Sequence, residues 1–209
     1  MVVQQIRGAL IKGRASEVAS LVAQAMQEGA QAVDILNDGL CQGMGDIGER
    51  FKKSEIFVPQ VLLAARAMKQ GLEILKPHLV AAGVQPRATA VIGTVKGDLH
   101  DIGKNLVGMM LEGAGFKVVD AGIGVAAETF VKLAQEHRAQ IVGVSALLTT
   151  TMINMRSVVE AVRAAGLSSK VIIGGAPVTQ SFCDEIGADG YSPDAASAAQ
   201  LATGLALGA

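Results

Sequence analysis

The sequence predicts an α/β protein in which a four-helix N-terminal bundle is followed by a parallel, doubly wound sheet of five strands. Three observations carry that prediction. From Val2 to about Leu79 the apolar residues recur at intervals of three and four with almost no β-branched alternation, the period of helices that bury one face. Beyond Arg87 short β-branched runs alternate with amphipathic segments, and five strand–helix units in succession give a parallel sheet with helices on both faces. The composition is aliphatic and glycine-rich, with 25 Gly in 209 residues against five Phe, one Tyr and no Trp, which suits a fold that depends on glycine turns.

In the first half the pattern places helices over 3–12, 15–28, 31–51 and 58–79. Gly13, the pair Glu28-Gly29 and the polar turn Lys52-Lys53-Ser54-Glu55 supply the breaks, and Pro59 suits the first turn of the last helix, where its missing N–H needs no partner. Short connections between four helices imply a bundle. In the last helix Leu62, Ala65, Met68, Leu72 and Leu75 form one stripe, read as bundle core. Pro77 ends that helix, and Ala81-Ala82-Gly83-Val84-Gln85-Pro86 is the linker. The expected domains are therefore 1–86 and 87–209.

In the second half the strands fall at Ala88 to Val95, Lys117 to Ala121, Ile141 to Leu147 and Val171 to Gly174, with a weak fifth near Gly190-Tyr191. Helices follow them at 102–115, 126–137, 151–166, about 179–187 and about 195–207. Sheets of this kind bind ligands outside the carboxyl ends of their strands, so the loops leaving the strands are where function is expected.

Composition removes several classes of partner. Eighteen basic and nineteen acidic residues leave a net charge of −1, so neither nucleic acid nor an anionic membrane surface is indicated. The scarcity of aromatics argues against a base-stacking surface. Apolar stretches such as Ile141 to Leu148 fall well short of the roughly 18–20 residues of a membrane helix. The first residues lack a secretory signal pattern, and Cys41 and Cys183 stand far apart with no CxxC. A reducing, cytoplasmic setting is expected.

The loop after the first strand is the richest in chemistry. Gly93-Thr94-Val95-Lys96-Gly97-Asp98-Leu99-His100-Asp101-Ile102-Gly103-Lys104-Asn105 crowds two acids, a histidine and a lysine into one strand-to-helix turn. Asp98 and His100, one residue apart, can pair so that the carboxylate accepts the proton of one imidazole nitrogen and the other faces outward, the way a carboxylate tunes a metal-ligating histidine. An all-protein zinc site would need three or four ligands, and His78 and His137 lie at helix ends far from this loop. A single protein ligand makes sense where a macrocycle supplies the others, and haem stays open on that argument. Ser145-Ala146-Leu147 ends the third strand before the hydroxyl run Thr149-Thr150-Thr151, and Gly174-Gly175 ends the fourth, where backbone can approach a ligand closely.

Asp98-x-His100-x-x-Gly103, then Ser145-x-Leu147 after 41 intervening residues and Gly174-Gly175 after 26 more, resembles in order and spacing the signature of base-off, histidine-on cobalamin-binding domains. GTVKGDLHDIGKNLVG is similar to the corresponding stretch of cobalamin-dependent methionine synthase, and MGDIGERFKKSEIFVPQVLLAARAMKQGLEILKP resembles the helical cap that precedes this domain in methyl-transferring members. The resemblance covers nearly the whole chain and is strongest to the small corrinoid proteins of anaerobic methyltransferase systems. It implies a Rossmann-like, flavodoxin-like cobalamin-binding domain under a four-helix cap. His100 would be the lower ligand of the cobalt, Asp98 its hydrogen-bond partner and Ser145 the third member of a proton relay. Leu147 belongs to the same cofactor-binding signature. Gly103, Gly174 and Gly175 would leave room for the nucleotide tail, and Phe57, Val58 and Met44 are candidates for covering the upper face.

The activity so implied is a methyl shuttle. Co(I) accepts a methyl group from a donor activated on a substrate-specific methyltransferase, and methyl-Co(III) gives it to a second methyltransferase whose acceptor is a folate or a thiol coenzyme. A reductive activation protein would restore Co(I). The chain itself would be a carrier rather than a complete enzyme, since no second cluster of acid, base or metal ligands is present to activate a donor. Two other functions share parts of the signature. A cobalamin-dependent sensor or regulator would carry a Trp-containing cap motif and a DNA-binding region, and the small subunit of a cobalamin-dependent mutase would lack such a cap.

Overall fold

The computed structural model of the chain describes residues 2–208. It divides into two compact units, one running to Pro86 and including Gly113–Gly115, the other formed by Arg87–Glu112 and Phe116 onward.

The first unit is helical: α1 (Val2–Ile11), α2 (Ala15–Gln27), a continuous run made of α3 (Ala32–Asp34), a π-helical stretch (Ile35–Cys41) and α4 (Gln42–Lys52), then α5 (Val58–Ala81). These are the four helices read from the periodicity, with a π-helical segment that the pattern does not announce. At the start of α5 the Gln60 side chain accepts the Phe57 N–H at 3.1 Å, and Pro59 occupies the first turn. Two expectations change. Helix α5 continues through Pro77 to Ala81, because a proline this near a helix end forfeits only the one bond its N–H would make. The buried stripe of α5 is Val61, Ala64, Met68, Gly71 and Leu75, so Leu62 is exposed and Ala65 and Leu72 are half-buried. Small residues select that face, since a side chain at Gly71 would press on Leu40 and Val18 at 3.1 Å.

The second unit is a five-stranded parallel sheet in the order β2-β1-β3-β4-β5. Its strands are β1 (Ala88–Val95), β2 (Phe116–Val125), β3 (Ile141–Ser145), β4 (Lys170–Gly174) and β5 (Gly190–Ser192). The helices are α6 (Ile102–Gly113), α7 (Ala127–His137), α8 (Thr149–Met152), α9 (Asn154–Ala164), α10 (Gln180–Ile186) and α11 (Ala195–Leu207). Interior strand β1 is buried along nearly its whole length, as a parallel strand covered on both faces must be. One core beneath the sheet joins Val91, Val142, Val144, Phe130, Val158 and Ile173, with Phe130 fully buried. Thr179 and Asp194 cap α10 and α11 by accepting the N–H groups of Phe182 and Ser197. Strand β2 outruns the expected Lys117 to Ala121, because its distal half is bulged and glycine-containing and so loses the apolar alternation that marks a strand.

Candidate functional site

Strand β1 delivers the chain at Val95 to a turn closed by the Asp98 N–H on the Val95 carbonyl at 3.1 Å. Neighbouring elements then pin the loop. Asn154 of α9 donates to the Lys96 carbonyl at 2.8 Å, the Gly124 N–H of β2 to the Asp98 carbonyl at 2.9 Å, and the Thr94 hydroxyl to the His100 carbonyl at 2.8 Å. The Asp98 side chain is thereby turned inward, with 0% exposure, while the His100 side chain remains 52% exposed.

Five donors converge on the buried carboxylate. Oδ1 accepts His100 Nδ1–H at 2.8 Å and the His100 backbone N–H at 3.1 Å. Oδ2 accepts the Thr151 hydroxyl at 2.6 Å and the backbone N–H groups of Leu147 and Leu148 at 2.8 and 3.3 Å. Burial alone would raise the Asp98 pKa, but the bonds from Thr151, Leu147 and His100 outweigh it and hold the carboxyl well below the usual range. An ionised carboxylate only accepts, so Nδ1 carries the hydrogen and, in the neutral ring, Nε2 carries the lone pair. The unit therefore offers one basic nitrogen with its tautomer fixed.

The structure brings most of the signature residues together and reassigns some of them. Leu147 supplies a backbone N–H to Asp98 and leaves its side chain partly exposed. Ser145 does not join the Asp98–His100 pair. Its hydroxyl is paired with Thr94 at 3.0 Å and lies 3.5 Å from the Gly93 carbonyl. The hydroxyl that meets Asp98 is Thr151, because β3 ends at Ser145 in register with Thr94, and only the following loop swings across Asp98. Gly103 borders open space, with nothing within 4 Å of where a side chain would begin. Gly174 and Gly175 are different: a Cβ there would stand 3.0 Å from the Ser192 carbonyl and 1.9 Å from the Ala146 carbonyl, respectively. These two serve the close approach of the protein's own loops, and Gly175, at φ 134°, holds a backbone conformation that favours glycine. Among the cap candidates Phe57 is exposed, Val58 half-buried and Met44 buried.

Residues missed in the sequence include Thr151, whose signal was the run Thr149-Thr150-Thr151, and Thr94 and Asn154, which carried none. Around the imidazole the carboxyl end of the sheet exposes Leu99, Ile102, Ile123, Leu147 and Leu148, an apolar grouping of the sort that marks a binding surface. No group of three or more His, Cys, Asp and Glu able to hold a metal occurs among the described residues. A lone oriented imidazole, an apolar surround and open space at Gly103 fit a large planar cofactor that brings the other metal ligands with it, and a corrinoid meets that description.

Comparison with known proteins gives the same direction. Two models, each described as a B12 binding domain, match residues 2–76 and 88–200. The chain is 43% identical over 203 residues to a corrinoid protein of Desulfitobacterium hafniense, covering 95% of this chain and 94% of that one. It is 44% identical over 181 residues to trimethylamine corrinoid protein 1 of Methanosarcina mazei, covering 85% and 84%. Among solved structures it matches the methanol:cobalamin methyltransferase complex of Methanosarcina barkeri with a TM-score of 0.89 at 31% identity, over 100% of this chain and 80% of that one. A cobalamin-binding protein of Desulfitobacterium hafniense matches with a TM-score of 0.81 at 34% identity, over 97% and 98%.

Proposed function

The chain belongs to the B12-binding family of corrinoid proteins, and from that premise we propose that it is the methyl-carrying subunit of a corrinoid-dependent methyltransferase system. The observation that carries the reading is the His100–Asp98 pair, in which a five-fold hydrogen-bonded carboxylate holds one half-exposed imidazole in a single tautomer. His100 Nε2 would hold the cobalt in place of the cofactor's own base. When bound, the corrinoid supplies a metal centre that takes a methyl group from one substrate and yields it to another.

The chain's own residues do the rest. Asp98 keeps its negative charge and accepts the Nδ1 hydrogen, which fixes the ring's tautomer and direction. Thr151 and the Leu147 and Leu148 amides hold that charge in place. Leu99, Ile102, Leu147 and Leu148 are exposed apolar side chains that the bound cofactor would cover. The open space at Gly103 is where the cofactor's tail would pass.

A structurally similar protein is part of a methanol:cobalamin methyltransferase complex, and the same logic assigns this chain a substrate-specific methyltransferase as one partner. A second methyltransferase with a folate or thiol acceptor and a reductive activation protein complete the cycle. A cytoplasmic location suits this chemistry, and both cysteines are buried; no helix among the described residues is long and apolar enough to cross a membrane.

The test is methyl acceptance by the purified, cofactor-loaded and reduced protein. It should be methylated by methyl iodide yet fail with alcohols, amines and aryl ethers until a methyltransferase is added. Steady turnover by this chain alone, with any of those donors and a natural acceptor, would contradict a carrier role.

A further inference from the structure

Lys104 is 4% exposed in the first turn of α6, and no contact of the Asp98–His100 pair uses it. An ammonium so placed persists only when it is paired. Its Nζ donates to Asp120 Oδ2 at 2.5 Å and to Asn105 Oδ1 at 2.8 Å. Asp120 sits where β2 departs from regular pairing: Ile92 pairs with Asp120, Gly93 with Gly122 and Val95 with Val125, so β2 carries two extra residues over this stretch. The other carboxylate oxygen, Oδ1, accepts the Gly122 N–H at 2.8 Å and closes the first of these bulges. The bulged backbone runs through Gly122 at φ 95° and Gly124 at φ 64°, and it brings the Gly124 N–H to the Asp98 carbonyl at 2.9 Å. Bulges beside functional sites re-aim the chain in this way. The hydrogen-bonded path is continuous from α6, through one carboxylate and a bulge, to the backbone that bears Asp98.

We propose that Lys104 and Asp120 are positioning residues, a clamp that fixes the β2 bulge and, through Gly124, sets the backbone from which Asp98 orients His100. For the loaded protein the inference rests on the reading that His100 ligates cobalt, whereas for the cofactor-free chain it stands on this geometry alone. A merely structural ion pair would affect stability and leave the imidazole tautomer as it is.

The test uses the full-length, cofactor-free protein labelled with nitrogen-15. Amide exchange is read at Gly122 and Gly124, and the ring nitrogen shifts of His100 report its tautomer. In Asp120→Ala both amides should exchange about tenfold faster, as expected of local opening, and the His100 ring should change from the Nδ1–H form to a mixture with Nε2–H. Asp120→Asn, which keeps an oxygen for Gly122 but turns a donor toward Lys104, should fall between wild type and Asp120→Ala in both readouts. Lys104→Met, which keeps the buried stem and removes the donor, should move both readouts in the same direction as Asp120→Ala, and it decides the matter if Asp120→Ala does not fold. Unchanged Gly124 exchange and an unchanged tautomer in the folded variants would overturn the clamp. In protein loaded with cobalamin and reduced to Co(II), a smaller histidine-ligated fraction in Asp120→Ala than in wild type supports it, and an equal fraction overturns it. Absence of histidine ligation in the wild type would instead refute the ligand reading and leave the cofactor-free data to decide the clamp.

Discussion

Replacing Thr151 by Val removes one hydroxyl from the Asp98 carboxylate and changes the side-chain shape little, which makes it the sharpest probe of the pair. The lost bond is short, 2.6 Å, buried and made to an ionised acceptor, and such bonds contribute about 1.5–3 kcal/mol. The carboxylate keeps the two amides from Leu147 and Leu148 and both donors of His100, so the fold should survive with a loss of about 2 kcal/mol, a factor of roughly 30 in the folding equilibrium. The assay is urea unfolding of the cofactor-free protein at pH 7, read as a lower midpoint at constant slope. Charge dependence follows from the Asp98 pKa, which folding lowers. A carboxyl of that kind contributes its stability above the unfolded value near 3.9 and loses it as pH falls toward the folded value, so the cost of Thr151→Val should be constant from pH 7 to about 5 and shrink below about 4. In an Asp98→Asn background the same substitution removes only a neutral bond of about 0.5–1.5 kcal/mol, so the two changes should be non-additive. Ser145→Ala breaks the contact with Thr94 instead and should combine additively with Asp98→Asn. Additivity of Thr151→Val with Asp98→Asn, together with coupling of Ser145→Ala to it, would refute the assignment of Thr151 as the partner.

Other outcomes follow from the same geometry. Gly103→Val should leave thermal unfolding nearly unchanged yet lower corrinoid occupancy, since the new side chain enters open space on the face where the tail is proposed to lie; normal occupancy would remove Gly103 from the binding surface. Gly175→Ala should act oppositely, costing roughly 1–3 kcal/mol through its backbone conformation alone and more through the Ala146 carbonyl, with unfolding rather than occupancy as the readout. A fragment beginning at Arg87 should fold and bind a corrinoid, because the sheet unit has its own core; a fragment without cooperative unfolding would show that the boundary proposed at 86/87 is misplaced.

The fold was legible because each half of the chain obeys one period. Helical spacing marked the four N-terminal helices, and β-branched runs marked the first four strands, with the fifth only weakly signalled at Gly190-Tyr191. What escaped were departures from those periods. Adjacent Leu62 and Leu63 make the apolar stripe of α5 ambiguous by one position, and only the small residues Ala64, Ala67 and Gly71 decide which side packs. The distal half of β2 hides because two extra residues break its alternation. In the site, Asp98 and His100 were legible because a spacing of one residue dictates their meeting. Ser145 and Thr151 were not distinguishable in that way, since the choice between two hydroxyls six residues apart depends on where the loop after β3 crosses Asp98. Lys104 and Asp120 are 16 residues apart and meet only because α6 and β2 flank β1, a juxtaposition that topology creates and local sequence does not record.

The central claim is that His100 Nε2 ligates the cobalt, and electron paramagnetic resonance of the Co(II) protein tests it most directly when the chain's histidines alone carry nitrogen-15. A protein nitrogen on the axis would then split each cobalt line into two, where an unlabelled nitrogen or the cofactor's own base splits it into three. Ligation by His100 gives doublets in the labelled wild type, triplets in the unlabelled protein, and no histidine-derived splitting in His100→Ala. Triplets that persist in the histidine-labelled protein would show that the cofactor keeps its own base and that His100 is not the ligand.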